Sequence, residues 1–277
     1  MSAIQGARER ARTEVTAAIK AEARRQLAEQ GAAKLSLRAV ARELGMVSSA
    51  LYRYFPSRDE LLTALIIDAY DAIGAAAEGA LAARPDGDPV ARWTAVCQAV
   101  RGWALAHPHE YALLYGSPVP GYSAPQDTIA PASRVGLALL TVARDAHTAG
   151  LLRVPDPATL PQPVLADART LADTLAVELP APALAGFVAA WAQLFGLLNF
   201  ELFGQFTNVV EAREEFFARS VGTLARSAGL RSPEDAGTGD ARPRDTGAGG
   251  GGTREADARD ANAAEGIAAR PAGGTGA

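Results

Sequence analysis

Between Ser36 and Phe55 the apolar residues fall into two short periodic runs separated by a glycine, and that pattern leaves little choice of local structure. Leu37, Val40, Ala41 and Leu44 stand at i, i+3, i+4 and i+7, so they share one face of a helix. Ser36 precedes them, where its hydroxyl can accept an N–H of the first turn. Gly45 follows them, where a helix end commonly needs left-handed backbone. Leu51 and Phe55, four apart, pin a second short helix against the first and leave Ser48, Ser49, Tyr52 and Arg53 facing outward. This is the layout of a helix-turn-helix, whose second helix presents its outer side chains to base edges in a major groove. Arg53 suits guanine or phosphate, and the hydroxyls suit phosphate oxygens. A helix, a glycine and a helix also describe an ordinary helical hairpin, so the motif needs support from elsewhere in the chain.

Charge supplies it. The formal net charge of −4 over 277 residues argues against a polyanionic partner until it is divided along the chain. Residues 1–60 hold eleven Lys and Arg against seven Asp and Glu, a surplus of four, so the remaining 217 residues carry −8. A basic amino-terminal unit on an acidic body is the distribution expected when only the first part meets phosphate. The apolar content is mostly Ala, Leu and Val, aromatic residues make up 6%, and no β-branched alternation occurs, which predicts an all-α fold. Cys97 is the one cysteine, so no internal disulfide is possible. The opening residues lack the apolar core of a secretory signal, and the expected location is the cytoplasm.

Val15, Ile19, Ala23 and Leu27 step by four and predict a helix over 14–30 that packs across the helix-turn-helix and completes a three-helix unit. Ser57 and Glu60 have the spacing of a capping box, so a further helix starts at Arg58 and runs to about Ala83, too long to belong to the small unit alone. The turn cluster at 84–89 reads as a domain joint. Beyond it, apolar periods predict helices near 88–106, 108–116, 129–149, 165–178, 181–206 and 211–227. From Leu179 to Phe200 no residue is charged, a length that could cross a membrane. The opening prolines, Gln193, Asn199 and the missing Lys or Arg flanks instead favour a helix buried on several sides, partly on its own core and partly on a second subunit, with no membrane partner. Residues 231–277 have no apolar period and read as a disordered tail. The glycine run at 247–252 follows no strand and is not a nucleotide site.

Residues 35–45 (LSLRAVARELG) and 50–62 (ALYRYFPSRDELL) together resemble the TetR family of bacterial repressors, over roughly residues 13–75. The resemblance implies a DNA-binding domain over 13–75, a helical ligand-binding and dimerisation domain over 86–229, and relief of repression by a small molecule. It implies DNA contacts at Ser36, Arg38, Ser48, Ser49, Tyr52, Tyr54 and Arg58, beside the outward-facing Arg53. Tyr54 stands where the family often has histidine and Arg58 where it has lysine; both keep a group able to meet phosphate. Val47 replaces a common capping residue, so the recognition helix is expected to start on Ser48. Trp103 to Gly116, with 191–196 (WAQLFG), resembles the C-terminal domain of the family's Trp-His-Gly branch, with Phe195 in place of the histidine. Trp103, Tyr111, Tyr115, Phe187, Trp191 and Phe195 are the candidate linings of an apolar effector cavity. Helices near 181–206 and 210–228 are the implied homodimer interface, two-fold symmetric to match a double-stranded operator.

No GxSxG, P-loop or HExxH motif occurs, and His107, His109 and His147 do not pair on a helix face. No catalytic residue, metal site or cofactor is expected, and the chain does not read as an enzyme. Two readings stand: a homodimeric, ligand-released transcriptional regulator, and a helical ligand-binding or scaffolding protein whose DNA reader is vestigial.

Overall fold

The computed structural model describes residues 3–237. Among them the secondary structure is helical apart from one isolated antiparallel bridge, Leu152 to Leu230. Helix α1 spans Ala3–Gln30 and is followed by a 3₁₀ turn, Ala32–Lys34. Helices α2 (Leu37–Glu43) and α3 (Ser48–Leu51) form the helix-turn-helix, and α4 (Arg58–Ala82) leads out of it. The body contains α5 (Pro89–Ala106), α6 (Pro108–Tyr115), α7 (Ile129–Thr148), α8 (Gln162–Leu175), α9 (Ala181–Leu202) and α10 (Arg213–Ser227), closed by the short α11 (Pro233–Gly237).

Local chemistry accounts for most of these limits. The Ser36 hydroxyl accepts the Ala39 N–H, and Ser57 accepts the Glu60 N–H at 3.1 Å, so α2 and α4 both begin on side-chain caps. Gly45 takes φ of +64°, the left-handed turn that lets α3 fold back on α2. Val47 caps α3 without any side-chain bond, and the helical residues start at Ser48. Helix α1 begins well before the expected residue 14. Residues 6–14 are exposed and rich in Ala, Arg and Glu, which favour helix without burial.

The side chains pack into two cores. Ile19, Ala23 and Leu27 of α1 meet Leu37, Val40, Leu51 and Phe55, with Leu61, Leu62 and Leu65 from the start of α4. Further along α4, Ile73 and Ala77 belong to the core of the body, with Trp93, Val96, Leu139, Leu184 and Leu194. The change from one core to the other therefore falls inside α4. The 84–89 turn, expected as the joint, only connects α4 to α5 beside the second core. Lys20 and Arg24 of α1 both bind Asp68 of α4, at 2.8 and 2.7 Å, and Arg24 also reaches Glu110 of α6 at 3.0 Å. These ion pairs brace the small unit against the body.

One expectation is corrected. Residues 231–237 are not tail: the Arg231 N–H bonds to the Leu151 carbonyl, the Ser232 hydroxyl to Asp88 Oδ2, and α11 follows. Their anchors are one backbone bond and one serine hydroxyl, which leave no apolar period to read. The rest of the supposed tail, 238–277 with its glycine run, lies outside the described residues. Helix α9 is long and apolar enough to cross a membrane by length and composition alone, and within the single chain described one side of it is buried. Leu184, Phe187, Leu194 and Leu198 face the core, while Val188, Trp191 and Phe200 are exposed.

Candidate nucleic-acid interface and cavity

The helix-turn-helix exposes a compact polar surface. Arg38, Ser48, Ser49 and Arg53 are exposed, and Tyr52 retains 40% of its surface. Among the described residues neither Arg38 nor Arg53 forms an ion pair, and the same holds for Arg8, Arg10 and Lys34. Cations with no internal partner suit phosphate contact, because nothing has to be broken to make it. Ser36 is half-buried, with its oxygen engaged as the α2 cap.

Tyr54 and Arg58 are placed differently from the expectation. Tyr54 is half-buried against the first core, with the Arg12 guanidinium 5.6 Å from its ring centroid. Arg58 turns inward and donates to the carbonyls of Ala32 at 2.8 Å, Ala33 at 3.2 Å and Leu35 at 3.2 Å. Its donors close the 3₁₀ turn after α1, so it braces the reader.

A cavity of about 790 Å³ lies among α4, α6, α7, α8 and α9 and is closed on one side by the α6–α7 loop. Tyr115, Phe187 and Trp191 line it, but Trp103, Tyr111 and Phe195 do not. Trp103 stacks on His107 at the end of α5, ring centroids 5.0 Å apart. Tyr111 is fully buried and donates its hydroxyl to Asn199 Oδ1 at 2.9 Å. Phe195 lies behind the wall, packed on Tyr115 at 4.3 Å. Burial pushes the hydroxyl pKa of both Tyr111 and Tyr115 well above the usual tyrosine value, so both stay neutral.

The wall also contains residues that periodicity did not single out. Tyr70 comes from α4, one turn after Ile66, on a stripe that continues in the sequence past Ala69. Tyr122 and Val119 come from the Pro/Gly-rich loop, which carries no period to signal them. Leu113, Val119 and Tyr122 each line the cavity and also pack against the core of the small unit. The Tyr122 hydroxyl shares a 2.9 Å hydrogen bond with Thr63 near the start of α4. A second apolar groove, about 600 Å³, runs between α9 and α10 beside Leu197, Phe200 and Phe216.

Two family profiles match the chain: "Bacterial regulatory proteins, tetR family" over residues 19–65 and "Tetracyclin repressor-like, C-terminal domain" over 93–224. The HTH-type transcriptional regulator Rv1816 of Mycobacterium tuberculosis is 42% identical over 206 residues, covering 73% of this chain and 86% of the relative. The chain belongs to the TetR family. Mb1846 of Mycobacterium bovis, also an HTH-type transcriptional regulator, matches to the same extent. As a TetR-family protein the chain is a DNA-binding regulator of transcription. Its C-terminal match carries the general tetracyclin-repressor-like description and not the Trp-His-Gly branch. Among solved structures, the regulatory protein SCO4313 is 37% identical with a TM-score of 0.62, covering 78% of this chain and 97% of that one. PfmR of Thermus thermophilus, a TetR-family regulator, shares the fold at 21% identity and a TM-score of 0.51, over 75% of this chain and 96% of its own. The first profile has the same limits as the amino-terminal core, which runs from Ile19 to Leu65. The stretch between the two TetR profiles is α4 from Ile66 onward, the turn and the start of α5, where the two cores are joined.

Proposed function

We propose that this TetR-family protein is a cytoplasmic repressor that binds a pseudo-palindromic operator as a homodimer and is released by a small hydrophobic effector. Residues 13–75 act as the reader, with Arg38, Ser48, Ser49, Tyr52 and Arg53 at the duplex. Residues 86–229 hold the partner subunit and, with Ile66 and Tyr70 of α4, the effector.

The observation that carries the ligand response is the double role of Leu113, Val119 and Tyr122, which wall the cavity and pack on the reader's core. A molecule that moves this loop also moves the start of α4, and with it the recognition helix. The coupling needs the effector to bind the displaced arrangement better than the DNA-competent one. The exposed Phe200 and Phe216 beside the α9–α10 groove support pairing through the helices near 181–206 and 210–228. Two such faces bury each other, and a two-fold axis between them sets two recognition helices about one DNA turn apart.

The test is retention of the protein's own promoter DNA, measured by fluorescence anisotropy across a salt series. The wild type should bind with a steep salt dependence, and Tyr52→Ala/Arg53→Ala should lose sequence-dependent binding while keeping its helical content. Equal binding by the double variant supports the vestigial-reader alternative instead.

A further inference from the structure

The chemistry of the cavity wall restricts what it can hold. No Asp, Glu, Lys, Arg or His side chain lines it. A charged ligand would exchange water for apolar contacts with no counter-ion, and that desolvation would go uncompensated. Its volume of about 790 Å³ lies within the range of roughly 300–1,000 Å³ usual for small-molecule sites.

The polar groups on the wall divide into spent and unspent. Tyr122 is bonded to Thr63, the Thr128 hydroxyl donates to the Pro125 carbonyl and the Ser133 hydroxyl to the Ala130 carbonyl. Among the described residues the Tyr70 and Tyr115 hydroxyls have no hydrogen-bond partner, and neither does the Trp191 indole N–H. Tyr70 and Tyr115 are in edge contact across α4 and α6, centroids 6.0 Å apart and planes at 86°. Burial raises the hydroxyl pKa of both, which keeps them neutral donors. The Ser117 hydroxyl is also unspent but sits on the exposed loop.

Building on the effector reading, we infer that the cavity takes an uncharged, mostly apolar molecule bearing a carbonyl or ester oxygen, received by the Tyr70 and Tyr115 hydroxyls. A ligand without an acceptor displaces water from these donors and leaves them unpaired, whereas a carbonyl oxygen satisfies one or both. Discrimination by unpaired donors is stronger than discrimination by apolar fit.

The test uses the full chain and four probes with one alkyl tail: methyl decanoate, decane, decanoate and decyltrimethylammonium. Binding is read by calorimetry and by Trp fluorescence, since Trp191 lines the wall. Methyl decanoate should bind tightest. Tyr70→Phe and Tyr115→Phe, which keep the ring and remove one oxygen, should each weaken the ester about five- to ten-fold, the worth of one neutral hydrogen bond, and leave decane unchanged. Decanoate or the ammonium binding as tightly as the ester would overturn the inference. So would an unaltered ester-to-alkane ratio in both variants, or no binding by any probe. The same proteins are assayed on promoter DNA. Ester preference without any effect on DNA leaves the ligand class standing and refutes the release reading; DNA release by decanoate alone does the reverse.

Discussion

Two glycines on α4, five residues apart, should respond in opposite directions to the same substitution. Gly74 is buried where α4 crosses α7, and a Cβ added there would lie 2.7 Å from the Arg134 Cβ and 2.9 Å from its Nε. Carbon atoms pack at about 3.5–4.0 Å, so the helices must separate by roughly 1 Å. Arg134 cannot swing aside cheaply, because it holds Glu78 through 2.8 and 2.6 Å bonds and Asp71 at 2.7 Å. Gly79 is exposed, and a Cβ there meets nothing within 4 Å. Gly79→Ala should therefore realise the helix-propensity gain alone, about 0.5–1 kcal/mol. Gly74→Ala gains the same amount but adds about 1–3 kcal/mol of overpacking and strains exposed ion pairs worth up to about 1 kcal/mol. We expect Gly74→Ala to be destabilised by about 1–2 kcal/mol, so that the two variants differ by about 2–3 kcal/mol in urea denaturation followed by circular dichroism. Because Ser133, Gly136 and Leu140 of α7 line the cavity, Gly74→Ala should also weaken methyl decanoate binding. Equal stabilisation by both substitutions would show that α4 and α7 are not in the close contact described.

Glu201 is paired with Arg101 through bonds of 2.6 and 2.8 Å, its side chain only 5% exposed. Glu201→Ala should cost about 3–5 kcal/mol in chemical denaturation by stranding the guanidinium, and Arg101→Met/Glu201→Leu should recover most of it. Thr63→Val removes the partner of the Tyr122 hydroxyl, a bond of about 1 kcal/mol. The change in operator affinity on adding methyl decanoate should shrink several-fold, while affinity for decane barely moves. Cys97 is fully buried, and burial pushes its thiol pKa far up, so it should resist Ellman's reagent until the protein unfolds. The same shift has a pH consequence. The unfolded thiol ionises above its ordinary value of 9.0 while the folded one does not, so thermal stability should fall as pH rises beyond that point.

The limits of α2 and α4 and the helix-turn-helix were legible from residues because their causes act over a few positions. Ser36 and Ser57 cap within three residues, Gly45 supplies one left-handed turn, and the apolar steps of α1, α2 and α4 recur every three or four. The placement of Tyr54 and Arg58 was not legible because it depends on a distant segment: Arg58 is drawn inward by carbonyls 23 to 26 residues earlier in the chain. The cavity was only half legible for the same reason. Periodicity places Tyr111 and Tyr115 together on α6, but only the packing of α9 gives the Tyr111 hydroxyl its partner in Asn199, while Tyr115 lines the cavity. Tyr122 sits in an aperiodic loop, and its bond to Thr63 spans 59 residues. Which side chains share a face follows from backbone geometry within one helix. Which faces enclose a volume follows from how separate helices pack, and no stretch of sequence read on its own contains that.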